Sequence, residues 1–349
     1  LASFAEAGMD RKRFQRLKTA VARDLTAEQC LDLEAHLREV VASRASETSL
    51  VERTRAVTEA GHCPRCGHDD VVRHGRDKAG RQRFRCRRSA EAGCGRTFNA
   101  LTGTALARMR KPEKWLEFAE RMGAFRSVDE VASSDLGISR LTAWRWRHRL
   151  LKAQADAQAA QLGGVVEADE TFFRTSYKGH RGWVRGTPPE NRPPRYRGGP
   201  ALSPGISGEQ VPVLTAVDRG GAVIEQVLRS RAGIEPALRG RIKPGSVICS
   251  DGPKAYVNVA VAAGSEHRRI QPPRTDWLKK AIGGKPRRPC RLGLGHVNAH
   301  HERVKTFVNR GARGVSTRYL PLYLGWLRAI RSPGFEAAKL LRDSLSTPT

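Results

Sequence analysis

The feature that most constrains this chain is a cluster of four cysteines, Cys63, Cys66, Cys86 and Cys94, within 32 residues. Cys63 and Cys66 are separated by two residues, a spacing in which two thiolates bind one tetrahedral ion at about 2.3 Å. Cys86 and Cys94 are separated by seven residues, so the second metal-binding turn is expanded. Because no secretion signal precedes the cluster, we expect metal ligands rather than disulfides. We predict a structural Zn²⁺ held by these four cysteines, without which so small a segment does not fold.

The sequence around the cysteines favours a zinc ribbon over residues 61–104. Short alternating stretches, 71–74 and 82–86, predict β-hairpins. Cys94 is followed by Gly95, which relieves the tight turn of the second half-site. His68 and His74 are the alternative ligands. The other cysteines stand alone in the sequence: Cys30, Cys249 and Cys290.

The charge of the chain points to a polyanionic partner. Lys and Arg total 63 against 35 acidic residues, a formal net charge of +28, which favours nucleic acid through phosphate neutralisation. Hydrophobic residues make up 39%, which argues against wholesale disorder. No apolar run approaches the roughly 20 residues that span a bilayer. We therefore expect a cytoplasmic, nucleoid-associated protein, with the arginines near the cysteines forming a DNA- or partner-facing surface or a solvated charged face.

Helical patterns flank the ribbon. Residues 11–60 predict helices, and residues 127–151 read as a helix, a turn at Gly137 and a second helix rich in Arg and Trp. This pattern predicts a helix-turn-helix, whose second helix lies in the major groove. The alternative is a helical connector. The residues that we expect to contact DNA lie on the second helix: Arg140, Thr142, Arg145 and Arg147.

Two acids end apolar strands in the second half of the chain. Asp169 lies near the end of VVEADE, and Asp251 ends SVICSD. Acids at the ends of adjacent buried strands converge on divalent ions, and two such ions serve phosphodiester chemistry. The order of strand, hairpin, helix and second acidic strand fits a ribonuclease-H-like core. That core takes a third ligand from a later helix, here near residues 296–310.

At this point the chain resembles transposases of bacterial insertion sequences, in the group called IS fifteen-ninety-five or ISXO-two-like. The resemblance covers about 60–330. Its motifs are CPRC (63–66), CGRTFNALTGTALAR (94–108), VVEADETFF (165–173), SDGPKAY (250–256) and HVNAHHERVKTFVNRGARGVSTRYLPLYLGW (296–326).

The resemblance implies a DDE-type site in which Asn or Glu is the third ligand and Lys follows seven residues later. Asn298 and Lys305 match that spacing. Lys305 would hold the scissile phosphate or a terminal base. Glu302 is the competing third ligand, and His301 or His300 are further alternatives. Glu170, next to Asp169, points to the opposite side of its strand and would act indirectly at most.

The implied activity is metal-dependent cleavage at the ends of the element, followed by strand transfer. The implied cofactors are two Mg²⁺ or Mn²⁺ ions on Asp169, Asp251 and Asn298, together with the structural Zn²⁺. The implied partners are double-stranded DNA, both element ends and target, and further copies of the chain in a dimer or higher synaptic complex. Residues 178–205 and 268–291 would hold the DNA backbone. The alternatives are a DNA-binding regulator or decayed transposase with an inactive DDE-like domain, and a zinc-ribbon transcription or replication factor.

These observations predict a multidomain chain. Residues 153–163 are expected to form a linker helix, residues 267–294 a loop, and the chain from about 298 to 345 helices. The domains expected are a helical N-terminal region (1–60), a zinc ribbon (61–104), a helix-turn-helix region (105–152), an α/β ribonuclease-H-like catalytic core (153–330) and a C-terminal tail (331–349).

Overall fold

A computed structural model describes residues 9–88, 92–178, 207, 209–270, 292–332 and 334–346. The chain divides into two compact units, one of Leu1–Ala124, Val131–Ser139 and Glu336–Thr349, the other of Phe125–Glu130 and Arg140–Phe335. Within the described ranges, every helix is too short or too polar to cross a membrane. The predicted DNA-holding segments, 178–205 and 268–291, lie almost wholly outside the described residues.

The helices and strands follow one another along the whole chain. The helices are α1 Arg11–Asp24, α2 Ala27–Ala60, α3 Trp115–Gly123, α4 Val128–Ala132, α5 Arg140–Asp156, α6 Ile234–Leu238, α7 Lys254–Ala262, α8 Gly295–Thr306, α9 Leu320–Arg331 and α10 Ala337–Ser346. The strands are β1 Val71–Arg76, β2 Gln82–Cys86, β3 Thr97–Asn99, β4 Val165–Arg174, β5 Gln210–Asp218, β6 Val223–Val227, β7 Val247–Ser250 and β8 Glu266–Arg269.

The first unit contains the helices and the small sheet expected before residue 104. Thr26 begins α2 with a capping box, in which its hydroxyl accepts from the Gln29 N–H and the Gln29 side chain accepts from the Thr26 N–H. Strands β1, β2 and β3 form an antiparallel sheet, and Phe84 and Phe98 stack in its core with ring centroids 5.5 Å apart. The helices over 11–60 and the β-hairpin are therefore confirmed.

The second unit is built on a five-stranded mixed sheet in the order β6-β5-β4-β7-β8. β4, β5 and β6 pair antiparallel, whereas β7 and β8 run parallel to β4. The predicted strands and the hairpin are confirmed. The loop predicted over 267–294 was wrong at its start, because β8 occupies 266–269. That edge strand carries exposed charged side chains, so it shows no apolar alternation in the sequence.

The two faces of this sheet differ in polarity. Val166 and Ala168 point to an apolar core that includes Leu214, Ile224 and residues of α6 and α7. Because successive strand residues face opposite sides, Glu167 and Asp169 point to the other face. The catalytic candidates therefore lie on the polar side of a sheet whose other side supplies the hydrophobic core.

Helix α5 ends at Asp156, so the linker helix expected over 153–163 was wrong beyond that residue. The following backbone pairs elsewhere. The Gln158 side chain exchanges two hydrogen bonds with the Glu225 backbone, and Leu162 forms a parallel bridge with Ile242. Those partners satisfy groups that a continued helix would have satisfied internally.

Candidate active site and zinc centre

The four ribbon cysteines converge on one point. The Sγ atoms of Cys63 and Cys94 are 3.7 Å apart, as are those of Cys66 and Cys86, and all four lie within 4.8 Å of one another. Zn–S bonds of about 2.3 Å in a tetrahedron give sulfur separations of about 3.8 Å. The cluster therefore fits a structural Zn²⁺, and among the described residues no histidine joins it.

Glycine makes the expanded second half-site possible. Gly93 has φ +88°, and a Cβ there would lie 2.0 Å from the Arg87 carbonyl oxygen. The chain thus closes the insertion on its own backbone and returns Cys94, whose N–H donates to the Cys86 sulfur at 3.4 Å. Gly95, at φ +63°, turns the chain as the sequence predicts.

The thiols differ in acidity. The backbone N–H of His68 lowers the pKa of Cys66 to about 6, whereas burial raises the pKa of Cys86 to about 11. Burial also raises the pKa of Cys63. Because thiolates are the ligands, Cys66 is the thiol best prepared to bind first, and the buried thiols lose their protons to the ion.

Asp169 and Asp251 come together through the register of two parallel strands. Glu167 of β4 lies opposite Cys249 of β7. Two residues further along both chains, this register leads to Asp169 and Asp251. Asp251 is exposed just after β7, while the Asp169 side chain is 23% exposed. The site is open to solvent on the Asp251 side.

The electrostatics of Asp169 reflect this arrangement. Burial raises the pKa of Asp169 to about 6, and the charges of Asp251 and Glu170 act in the same direction, while Lys305 opposes them. Two carboxylates that repel each other are stabilised by a cation between them. The pair therefore suits a divalent ion, and Lys305 supplies a positive charge at the same place.

Glu167 fixes α8 above this part of the sheet. Its buried carboxylate accepts from the backbone N–H groups of His296 and Val297 at 2.6 and 3.1 Å. It also pairs with Arg219 at 2.7 Å. Four helical residues advance about 6 Å and two strand residues about 6.7 Å, so this cap sets His301 over Asp169.

The α8 candidates occupy different positions. Asn298 and Lys305 are exposed, and the exposed Glu302 accepts from the Thr306 hydroxyl at 3.4 Å. His301 is buried, with Nδ1 3.9 Å from Asp169 Oδ2. Burial lowers the pKa of His301 to about 4, which keeps the imidazole neutral.

A second buried carboxylate holds the middle of α8. Glu225 of β6 accepts from His300 Nε2 at 2.9 Å and from Arg328 Nη1 at 2.6 Å. Arg328 also donates to the carbonyl oxygens of Gln154 and Ala155. This network ties α8 and α9 to the sheet, so His300 is a positioning residue rather than a ligand candidate.

Glu170 lies on the opposite face, as the strand alternation predicts. It is buried and accepts a hydrogen bond from the Tyr256 hydroxyl of α7. Burial raises the pKa of Glu170, and the charge of Asp251 raises it further. Its effect on the site passes through that charge and through the packing of α7.

Sequence reasoning missed the roles of Glu167 and Glu225. The signal for Glu167 was present, because residues 167 and 169 of a strand share a face. Glu225 carried no such signal, since its partners come from α8 and α9, far along the chain.

The predicted DNA-contacting residues of α5 divide into two groups. Arg140 and Arg145 are exposed, Arg140 pairing with Asp129 at 2.8 Å, and Thr142 is half-buried. Arg147 is only 6% exposed. Its guanidinium lies 4.9 Å from the Trp326 ring centroid and donates to the Arg126 carbonyl oxygen. The expectation that Arg147 contacts DNA was wrong in this fold, because α5 buries that face against α9.

A second basic surface lies beside the zinc cluster. A cleft of about 690 Å³ is lined by Arg65, Arg81, Arg96 and Arg108. Arg81 pairs with Asp77 at 2.8 Å. In the described part of the chain, the other three form no ion pair. Guanidinium groups in such a cleft suit a phosphate-bearing ligand.

Comparisons with known proteins cover parts of the chain. Residues 58–89 match the family model of the InsA N-terminal domain, a zinc ribbon, which supports the resemblance to insertion-sequence transposases in that segment. No curated protein has a matching sequence. Among solved structures, the chain is similar to a simian T-cell lymphotropic virus intasome in complex with PP2A regulatory subunit B56 gamma, at 14% identity over 62% of this chain and 73% of that chain, TM-score 0.21. It is also similar to a pre-cleavage Mos1 transpososome, at 10% identity over 65% and 78%, TM-score 0.17.

We predict that the purified chain holds one tightly bound zinc at the ribbon. Cys66→Ser removes a ligand, so the zinc content measured by elemental analysis should fall well below one per chain, and the first unit should lose thermal stability. Cys30→Ser is the matched control and should keep the full zinc content. Equal zinc in both variants would contradict the assignment.

Asp169→Asn should stabilise the metal-free protein at neutral pH. The folded pKa of about 6 exceeds the ordinary 3.8, so the stability that wild-type Asp169 provides is complete near pH 4 and is lost as the pH rises through 6. The variant should therefore melt a few degrees higher at pH 7, on the order of 1–2 kcal/mol, and no higher at pH 4.

Melting curves at both pH values measure this difference. Asp156→Asn, an exposed change at the end of α5, is the control and should show no pH-dependent gain. A variant that is no more stable than wild type at pH 7 would show that Asp169 carries no electrostatic strain.

Proposed function

We propose that this protein is a DDE-type transposase that binds insertion-sequence ends and catalyses metal-dependent DNA cleavage and strand transfer. The observation that carries the proposal is the parallel register that leads to Asp169 and Asp251 on neighbouring strands, beneath a helix that bears Asn298 and Lys305.

The catalytic core in this proposal is ribonuclease-H-like. Three antiparallel strands followed by two strands parallel to the first, in the order β6-β5-β4-β7-β8, support it. The sequence motifs that resemble insertion-sequence transposases fall on β4, on the β7 end and on α8. Fold topology alone would not define an activity, so the acidic pair carries the functional argument.

Asp169, Asp251 and Asn298 would hold two Mg²⁺ or Mn²⁺ ions. The mutual repulsion of the two carboxylates and the exposure of Asp251 fit such a site. When bound, two divalent ions activate an attacking oxygen and stabilise a leaving oxygen. The Asn298 amide offers a neutral carbonyl oxygen, which keeps one negative charge fewer in the site than a glutamate would.

Lys305 is proposed to hold the scissile phosphate. In the first step water attacks the phosphorus, the P–O3′ bond breaks, and a free 3′-OH and a 5′-phosphate result. In the second step that 3′-OH attacks a target phosphorus, and the target 3′ oxygen leaves. Lys305 sits where its ammonium can pair with a phosphate oxygen in both steps.

The helix geometry favours Asn298 over Glu302 as the third ligand. Residues on an α-helix advance about 100° each, so Glu302 is turned about 100° from His301, the residue that faces Asp169. Lys305 and Asn298 lie between these two directions. The Glu302 carboxylate instead accepts from Thr306, away from the acidic pair.

DNA binding is assigned to the first unit and to α5. The arginine-lined cleft beside the zinc cluster and the exposed Arg140 and Arg145 would contact backbone phosphates, α4 and α5 being the proposed helix-turn-helix. Joining two element ends calls for a dimer or larger synaptic complex, and a DNA-processing role calls for a nucleoid location.

The proposal is tested with a plasmid that carries the chromosomal DNA flanking the gene, incubated with the protein and Mg²⁺ or Mn²⁺. Wild type should cut at the element ends and join them to target DNA. Asp251→Ala should reduce cleavage at least a hundredfold while DNA affinity stays within a few-fold, because only the ion site is lost. Asp156→Asn should cut like wild type.

Asn298→Ala and Glu302→Ala are compared in the same assay. We expect the asparagine variant to lose most activity and the glutamate variant to keep it. Wild-type protein that binds the ends and never cuts them, even with Mn²⁺, would favour a DNA-binding regulator or decayed transposase.

The α5 surface makes a separate prediction for DNA affinity. Arg140→Ala and Arg145→Ala should each weaken binding to duplex DNA and lower the slope of log affinity against log salt by about 1, since each removes a phosphate contact. Arg147→Ala should leave the slope unchanged and reduce thermal stability, because its side chain is buried against Trp326. Titrations at several salt concentrations distinguish these results; an unchanged slope in the first two variants would remove α5 from the DNA surface.

A further inference from the structure

His301 has no place in the DDE pattern, yet it is the α8 side chain that faces Asp169. It is 6% exposed, and the described residues supply no hydrogen-bond partner to its buried Nε2. The other ring nitrogen, Nδ1, is 3.9 Å from Asp169 Oδ2. Burying an imidazole without a partner costs on the order of 1–3 kcal/mol, so the fold keeps this side chain there at a penalty.

The neighbouring histidine shows what a structural role looks like in this helix. His300 is also buried, and its Nε2 pairs with Glu225 at 2.9 Å. His301 has no such carboxylate within hydrogen-bond range, because 3.9 Å exceeds hydrogen-bond distance. That separation does suit two ligands of one ion, since atoms about 2.1 Å from the same metal lie roughly 3–4 Å apart.

A second polar atom beside Asp169 is also unpartnered. Thr215 pairs directly with Asp169 in the antiparallel ladder, so both side chains share the polar face. The Thr215 side chain is fully buried, and its hydroxyl has no partner among the described residues. Asp169 is thus bordered by two buried polar groups that await a ligand shell.

We infer that His301 is a ligand of the divalent ion held on Asp169, approaching it from the sheet side while Asn298 approaches from the exposed rim. This inference rests on the proposed function. An imidazole ligand shifts the preference of the site from Mg²⁺ toward transition-metal ions, so Mn²⁺ should bind more tightly than Mg²⁺.

The test is electron spin-echo spectroscopy of Mn²⁺ added to the zinc-loaded full chain. Wild type should show the modulation of a directly coordinated ¹⁴N. His301→Gln should lose that modulation and bind Mn²⁺ about tenfold more weakly. His300→Gln, an equally buried change one residue away, should keep the modulation.

A nitrogen signal that persists in His301→Gln would overturn the inference. So would its absence from wild type while Asp251→Ala still abolishes Mn²⁺ binding; in that case the ion site stands and His301 is not its ligand. Mn²⁺ binding that is absent from wild type, or unaffected by Asp251→Ala, would overturn the proposed ion site together with the inference.

Discussion

The Glu167 carboxylate, buried under the first turn of α8, is the interaction on which the candidate site depends. It accepts from two backbone N–H groups at the positive end of the helix and pairs with Arg219. This cap fixes where α8 starts relative to β4. Without it, the helix could slide along the strand, and neither Lys305 nor His301 would remain above Asp169. A carboxylate therefore positions the site without belonging to it.

The polar face of the sheet is stabilised by pairing rather than by burial of apolar area. Glu225 satisfies His300 and Arg328, so two helices are fixed by one buried acid. Asp169 is the exception, because its neighbours raise its pKa instead of neutralising it. A protein tolerates such strain where an ion or substrate relieves it, and this contrast separates the structural acids of this face from the candidate catalytic one.

The sequence predicted whatever local pattern controls. Apolar runs marked β4, β5 and β7, and cysteine spacing marked the zinc ribbon. The third-ligand helix was visible, but the direction of each side chain was not, because it depends on the Glu167 cap formed across 129 residues. Arg147 looked like a DNA contact since the burial of its helix face is decided by α9. Strand β8 was missed because it is an edge strand with charged side chains.

The central claim is that Asp169 and Asp251 share a divalent-ion site beneath α8. The most direct measurement is a crystal structure of the protein grown with Mn²⁺, with data collected at the manganese absorption edge. The account predicts an anomalous peak between the two carboxylates. Two well-ordered carboxylates with no peak between them, or a manganese peak bound elsewhere on the chain, would contradict it.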